Sequence, residues 1–201
     1  MKRSLLAAAA MLLMATTAQA QTTYLSHKGA WATFVVKADN GRLQCGMQVL
    51  GNGSSLMVKY ATGDQIFLQV FKDDWRIPKG TDIPGYLAFD NSERYPFEGV
   101  GGPGPNGEGV VTLGIKPGTE DAFLSLMADA NKMTIGFTEG TQPPLVANMS
   151  GSRDAVAMFR KCSTGIDAVA AAAPQPFGKP APQPFNSAPA AKPARKDDGG
   201  I

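Results

Sequence analysis

The sequence predicts a mainly β domain, a single antiparallel β-sandwich or open barrel with two short helices, a clasping disulfide and a disordered C-terminal tail. Short alternating segments separated by tight-turn residues indicate about nine strands. The chain has only two cysteines, one near each end of this region. Beyond it the composition becomes rich in proline and alanine. We therefore expect a signal peptide over 1–20, one β-domain over 21–166 and a tail over 167–201.

The first twenty residues have the pattern of a bacterial secretory signal peptide. Lys2 and Arg3 precede an apolar run from Ser4 to Ala15, and Ala18-Gln19-Ala20 is an A-x-A cleavage site. We expect cleavage after Ala20 and a periplasmic or secreted mature protein. No later stretch reaches the roughly 18 to 20 apolar residues that a membrane span needs, so no span is expected after cleavage.

The predicted strands share short length, alternating hydrophobicity and flanking turn residues. They cover residues 30–37, 43–49, 56–60, 65–71, 83–90, 95–100, 110–115, 132–138 and 144–149. The clearest is Leu43–Val49, in which Cys45 and Met47 are expected to face the core. Residues 21–29 are expected to be a leader before the first strand.

Two features modify this pattern. Pro96 cannot donate a ladder hydrogen bond, so the strand at 95–100 is predicted to lie at a sheet edge. Gly101 to Gly109 is predicted to be a long flexible loop. It lacks the Lys-Ser/Thr pair and the following helix of a phosphate-binding loop.

Two helices are predicted, one at Thr119–Ala128 capped by Thr119 and one at Gly151–Cys162 capped by Ser152. Cys162 shares the inward face of the second helix with Phe159. With two cysteines only one pairing exists, and export favours a structural disulfide between Cys45 and Cys162. Closing a loop of about a hundred residues stabilises a fold by about 4.7 kcal/mol in the chain-entropy model.

Composition argues against several functions. Without Lys2 and Arg3 the basic residues equal the 17 acidic ones, and no basic patch of the kind that nucleic acid requires is present. The one histidine is His27. With no second histidine, no C-x-x-C pair and no nucleophile elbow, the sequence predicts no metal site, no cofactor and no catalytic residue.

The best local candidate for a binding surface is the charged segment around Trp75. Asp73, Asp74 and Arg76 flank this tryptophan, and an exposed aromatic residue beside charges is typical of interaction surfaces. The alternative is that the Trp75 ring caps the edge of the sandwich. Asp73 and Asp74 are also the carboxylates that a hydrolase would use. Trp31 is expected in the core.

The tail repeats the phrase Pro-Gln-Pro-Phe at 174–177 and at 182–185. Such a composition cannot bury enough apolar surface to fold and favours polyproline II. The tail is either a passive spacer or a docking arm with Phe177 and Phe185 as anchors.

Several of these features together resemble a known family. They are the signal peptide, the early Trp31, the strand bearing Cys45, and the segments 145–152 and 159–162. This combination is similar to small exported alphaproteobacterial proteins of the invasion-associated locus B type. The resemblance implies export and a β-rich fold, and it transfers no functional residue.

These observations predict a non-enzymatic exported protein that binds an unknown envelope or extracellular protein or glycan. Two alternatives stay open. One is a carboxylate-dependent hydrolase of cell-wall or polysaccharide material. The other is a protein inhibitor that inserts the loop Gly99–Gly109 into an enzyme, although ordering a flexible loop lowers affinity.

Overall fold

The fold is taken from a computed structural model that describes residues 22–172 except 39 and 91. The predicted signal peptide, the tail beyond 172 and its anchors Phe177 and Phe185 lie outside the described residues. The prediction of a mainly antiparallel β fold with two helices is confirmed. The elements in chain order are β1 (Thr22–Lys28), β2 (Trp31–Lys37), β3 (Leu43–Gly51), β4 (Ser54–Ala61), β5 (Phe67–Lys72), β6 (Thr81–Phe89), β7 (Tyr95–Pro103), β8 (Gly109–Gly114), α1 (Glu120–Asp129), β9 (Lys132–Phe137), β10 (Leu145–Asn148) and α2 (Ser152–Ala172).

All ten strands form one sheet in the order β1-β2-β3-β4-β5-β8-β7-β6-β9-β10. The β6–β7 hairpin is inserted so that β8 returns beside β5 and β9 pairs with β6. The two ends of the sheet approach each other, because Trp31 Nε1 donates to the Asn148 carbonyl at 2.9 Å and Ala30 N donates to Ser150 O at 2.9 Å. The sheet therefore curls round on itself, which matches the open-barrel form of the prediction.

The core fills the concave face of this curled sheet. The alternation predicted for β3 is confirmed, since Cys45 and Met47 are fully buried. Trp31 is 1% exposed, as expected for a core residue. Both helices add to the same core, through Phe123 and Met127 of α1 and Phe159 of α2, among others. They pack at the end of the sheet at which β3 and β9 begin, where Cys45 bonds to Cys162 and Phe89 contacts Phe123.

The predicted disulfide joins Cys45 of β3 to Cys162 of α2 across 117 positions of sequence, with the Cα atoms 5.9 Å apart. The Tyr60 hydroxyl lies nearby and donates to the Asp167 carboxylate at 2.8 and 2.9 Å. Burial raises the pKa of Tyr60, and the Asp167 carboxylate raises it further. Helix α2 is therefore bound to the sheet by a covalent link and by a neighbouring hydrogen bond.

Helix α2 differs from the prediction at both ends. It continues to Ala172, beyond the predicted domain end at 166, because the alanine-rich sequence there has a high helix propensity. The cap predicted at Ser152 is wrong, since Ser152 is the first helical residue and is 1% exposed, and its hydroxyl has no partner among the described residues. Gly151, with φ of +89°, precedes the helix instead. Thr119 likewise forms no side-chain cap on α1.

Three other local predictions are corrected. The leader at 21–29 contains strand β1, which pairs with β2. The strand with Pro96 lies inside the sheet, yet proline is tolerated because β7 pairs with β8 only from Val100 onward. The segment Gly101–Gly109, predicted to be a long flexible loop, is mostly hairpin, since β7 runs to Pro103 and Gly104 N donates to Glu108 O at 2.7 Å.

Asp90, which directly follows β6, binds the segment that leads from α1 into β9. It has φ of +51°, and its carboxylate accepts hydrogen bonds from the backbone N–H groups of Asn131 at 2.9 Å and Lys132 at 3.0 Å. The Lys132 bond lowers the pKa of Asp90 below its ordinary 3.8, and the Asn131 bonds lower it further. The ionised form is therefore the one that stabilises the fold.

An Asp90→Asn variant is expected to be less stable than the wild type at pH 7. Because the folded-state pKa of Asp90 is the lower one, the wild-type advantage is present above pH 3.8 and is lost as the pH falls through the folded-state value. Urea unfolding of both proteins between pH 7 and pH 3 measures this. A stability difference that stayed constant over this range would contradict the assignment.

Candidate functional site

The predicted site residues Asp74, Trp75 and Arg76 line a cleft of about 410 Å³ at the end of the sheet opposite the helices. We call it the Trp75 cleft. Its apolar wall and floor are Trp75, Ile77, Ile83, Pro84, Val111 and Phe137, and its polar lining is Asp74, Arg76, Thr81, Asp82, Glu139, Gly140 and Gln142. Aromatic and aliphatic walls with a few polar groups are typical of ligand pockets.

The Trp75 side chain is held in place from three sides. Trp75 follows β5, and its backbone passes so close to Gly109 that a Cβ there would lie 2.4 Å from the Trp75 Cβ. Its indole Nε1 donates to Gln142 Oε1 at 2.9 Å. Its ring meets Phe137 edge to face with centroids 5.4 Å apart. The ring is half-buried, so it packs at the end of the sheet and also lines the cleft.

Glycines in β7 make room for the floor of the cleft. A Cβ on Gly101 would lie 2.5 Å from Ile77 Cγ2, and one on Gly99 would lie 2.9 Å from Val111 Cγ1. Real Cβ atoms do not approach other atoms so closely, and both glycines are buried. The glycine-rich sequence that predicted a loop therefore serves close packing beneath the cleft.

The rim carries more negative than positive charge. Asp74, Asp82 and Glu139 line it, together with Arg76. Asp74 pairs with Lys72, and this hydrogen bond lowers the pKa of Asp74. The Arg76 guanidinium donates to the carbonyls of Asp73 and Trp75, both at 2.7 Å. These two hydrogen bonds fix the Arg76 side chain to the backbone of the segment that carries Trp75.

The structure separates the two adjacent acids of the predicted surface. Trp75, Asp74 and Arg76 all line the Trp75 cleft, whereas Asp73 lines another hollow of about 530 Å³ together with Asn106 and Glu108. Asp73 and Asp74 therefore do not face each other across one cleft, as a pair of hydrolase carboxylates would.

The other residues of the cleft were not predicted, and half of them come from beyond residue 110 of the sequence. Asp82 and Ile83 belong to β6, Phe137 ends β9, and Glu139 and Gln142 follow it. The alternation of Met133, Ile135 and Phe137 predicted the inward direction of Phe137. This alternation does not indicate which side chains contact Phe137, because strand order follows from long-range pairing.

The described residues contain no group of three His, Cys, Asp or Glu side chains suited to a metal ion. Neither helix in that part of the chain combines the length and the apolarity of a membrane-spanning segment.

No family model, curated protein or solved structure matches this chain. The resemblance to the invasion-associated locus B type stays a prediction. The function is therefore argued from the chemistry of the Trp75 cleft.

Proposed function

We propose that this chain is an exported, non-enzymatic binding protein that recognises an envelope or extracellular protein through the Trp75 cleft. The observation that carries the proposal is a half-buried tryptophan fixed beside Phe137, over an apolar floor and within a charged rim. Rigid aromatic anchors of this kind contribute strongly to protein interfaces, because they bury a large area and lose little conformational entropy.

The signal-peptide pattern and the Cys45–Cys162 disulfide support the location. Structural disulfides persist in oxidising compartments such as the periplasm and the extracellular space. A disulfide that joins a strand to the last helix fits a domain built to remain folded there.

Two features favour binding over hydrolysis. A general acid requires a carboxyl group whose pKa is raised towards neutrality, whereas Lys72 lowers the pKa of Asp74. Asp73, the other candidate carboxylate, lines a different hollow from the Trp75 cleft.

The test is quantitative capture of partners from envelope extract by the immobilised mature protein and by a Trp75→Ala variant. Removing the indole removes one wall of the cleft and the hydrogen bond to Gln142. We therefore expect the amount of captured protein to fall at least tenfold, which corresponds to a loss of about 1.4 kcal/mol in binding free energy. Capture of glycans in place of protein would redirect the proposal to a lectin-like role.

The matched control is Tyr24→Ala, which removes an exposed aromatic residue from β1, a strand that does not line the cleft. This variant should capture the same partner as the wild type. Both variants must retain the disulfide and the wild-type circular dichroism. Equal capture by the wild type and by Trp75→Ala would refute the role of the cleft.

The predicted docking arm is tested with a truncated protein. Ending the chain at Ala172 preserves α2, whereas ending it at 165 would delete Ile166, which is buried, and Asp167, which binds Tyr60. A partner that is lost from the protein ending at Ala172 but kept by Trp75→Ala would place recognition in the tail.

A further inference from the structure

The described part of the sheet has two outer strands, β1 and β10, and they differ in how they are protected. Strand β1 has a register irregularity between Tyr24 and Ser26 and carries Lys28. Irregular pairing and charge are the usual means by which an edge strand avoids adding another strand. Strand β10 has the sequence Leu-Val-Ala-Asn, pairs in continuous register with β9 and carries no charge.

The backbone of β10 offers hydrogen-bonding groups away from β9. Met149 N donates to Asn131 O at 3.0 Å on the β9 side, whereas the Asn148 carbonyl accepts from Trp31 Nε1 on the opposite side. Because the direction of backbone groups alternates along a strand, the N–H and C=O of Val146 also point away from β9. Within the described residues Val146 has no strand on that side.

A groove of about 260 Å³ lies along this edge, between β10 and the turn that joins β3 to β4. Its lining is uncharged and mostly apolar, and consists of Ala30, Val49, Leu50, Gly51, Ser54, Ser55, Leu56, Val70, Ile135, Leu145, Val146, Ala147 and Asn148. Leu50 and Val146 stand on its two sides and are 68% and 65% exposed. Large apolar side chains so exposed beside an unpaired backbone are typical of an interaction site.

We propose that this groove binds an extended, uncharged segment of a partner protein, which adds to the sheet as a strand beside β10. The backbone groups of Val146 select a peptide, because they pair with the main chain of an incoming strand. The lining carries no charge that could pair with a charge on the bound segment, and burying an unpaired charge is costly. The bound segment is therefore uncharged where the groove encloses it.

The shape of the groove favours one segment over a second copy of this chain. The β3–β4 turn forms a wall opposite β10. Such a wall obstructs the edge of another folded sheet, but an extended chain is a single strand wide. Alternate side chains of the bound segment would point to the floor at Val49, Leu56 and Ile135, since side chains of a strand alternate between its faces.

The test uses a capped peptide of alternating threonine and valine, acetyl-Thr-Val-Thr-Val-Thr-amide, titrated into the ¹⁵N-labelled mature protein. We expect amide shifts concentrated in β10 and in the β3–β4 turn. The same peptide with every central amide N-methylated cannot pair with a strand edge, and should bind at least tenfold more weakly. This comparison needs no change to the protein.

A Val146→Pro variant removes the N–H that points away from β9 and takes no part in the pairing with β9, so it should lose peptide binding at least tenfold. Val146→Thr keeps the N–H and should bind as the wild type. The proposal is overturned if the peptide causes no shifts at millimolar concentration, if the N-methylated peptide binds equally, or if the shifts lie at the Trp75 cleft. A dimer in sedimentation that Val146→Pro dissociates would also overturn it, by identifying the occupant as a second copy.

Discussion

Replacing Cys45 and Cys162 together by alanine is expected to lower the free energy of unfolding by about 4 to 5 kcal/mol. The disulfide closes 117 positions of sequence, and without it the unfolded chain gains the conformational entropy of that loop. Cys45 is 0% exposed, and alanine is chosen because serine would bury an additional hydroxyl group. Urea denaturation followed by tryptophan fluorescence gives the change in free energy.

The control for this variant is the wild-type protein unfolded with and without a thiol reductant. Reduction should shift the wild-type midpoint towards that of the double variant and leave the double variant unchanged. Nearly equal midpoints for the oxidised wild type and the double variant would mean that the disulfide does not constrain the unfolded chain.

A Gly151→Ala variant is expected to lose about 2 to 5 kcal/mol of stability. Gly151 has φ of +89°, and a Cβ there would lie 1.9 Å from the Lys28 carbonyl oxygen. The left-handed conformation costs a non-glycine residue about 1 to 2 kcal/mol, and overpacking adds about 1 to 3 kcal/mol. Gly29 lies on the other side of this contact, and a Cβ on Gly29 would lie 2.3 Å from Ser150 O. The start of α2 and the β1–β2 turn thus pack backbone against backbone.

The matched control is Gly165→Ala inside α2, the helix that Gly151 precedes. Gly165 is exposed, and a Cβ there would meet nothing within 4 Å. Because alanine is the better helix former, this variant should be more stable by about 0.5 to 1 kcal/mol. If the two variants change the free energy of unfolding in opposite directions, the loss in Gly151→Ala reflects its own packing and conformation and not a general effect of replacing glycine by alanine. A Gly151→Ala protein as stable as the wild type would contradict the contact with Lys28.

Alternating hydrophobicity located strands β2 to β10 because each has one face on the core. Strand β1 was missed because it is mostly exposed on both faces and so lacks that alternation. The far end of α2 was not predicted because its alanines run directly into the proline-rich tail, whose composition indicates disorder. The position of Pro96 inside the sheet was not predicted either, because it depends on where β8 begins to pair with β7.

The site was predictable only in its local part. Trp75 and Arg76 lie together in one segment, so their sequence context was sufficient to single them out. Phe137 and Gln142 reach the same cleft through the pairing of β6 with β9 and the return of β8 to β5. That strand order depends on long-range contacts, which local periodicity does not encode. The placement of Asp73 and Asp74 in different hollows also depends on the path of the chain after β5, which the local sequence does not determine.

The meeting of the two ends of the sheet affects how this protein is made. Trp31 reaches Asn148 across 117 residues and Thr33 reaches Ala155 across 122. A chain that emerges with its N-terminus first therefore exposes β2 and β3 until nearly the whole domain has been synthesised. Such distant contacts slow folding, and the uncovered apolar face of these strands then invites aggregation. The period before α2 emerges is thus when the nascent chain most needs a chaperone.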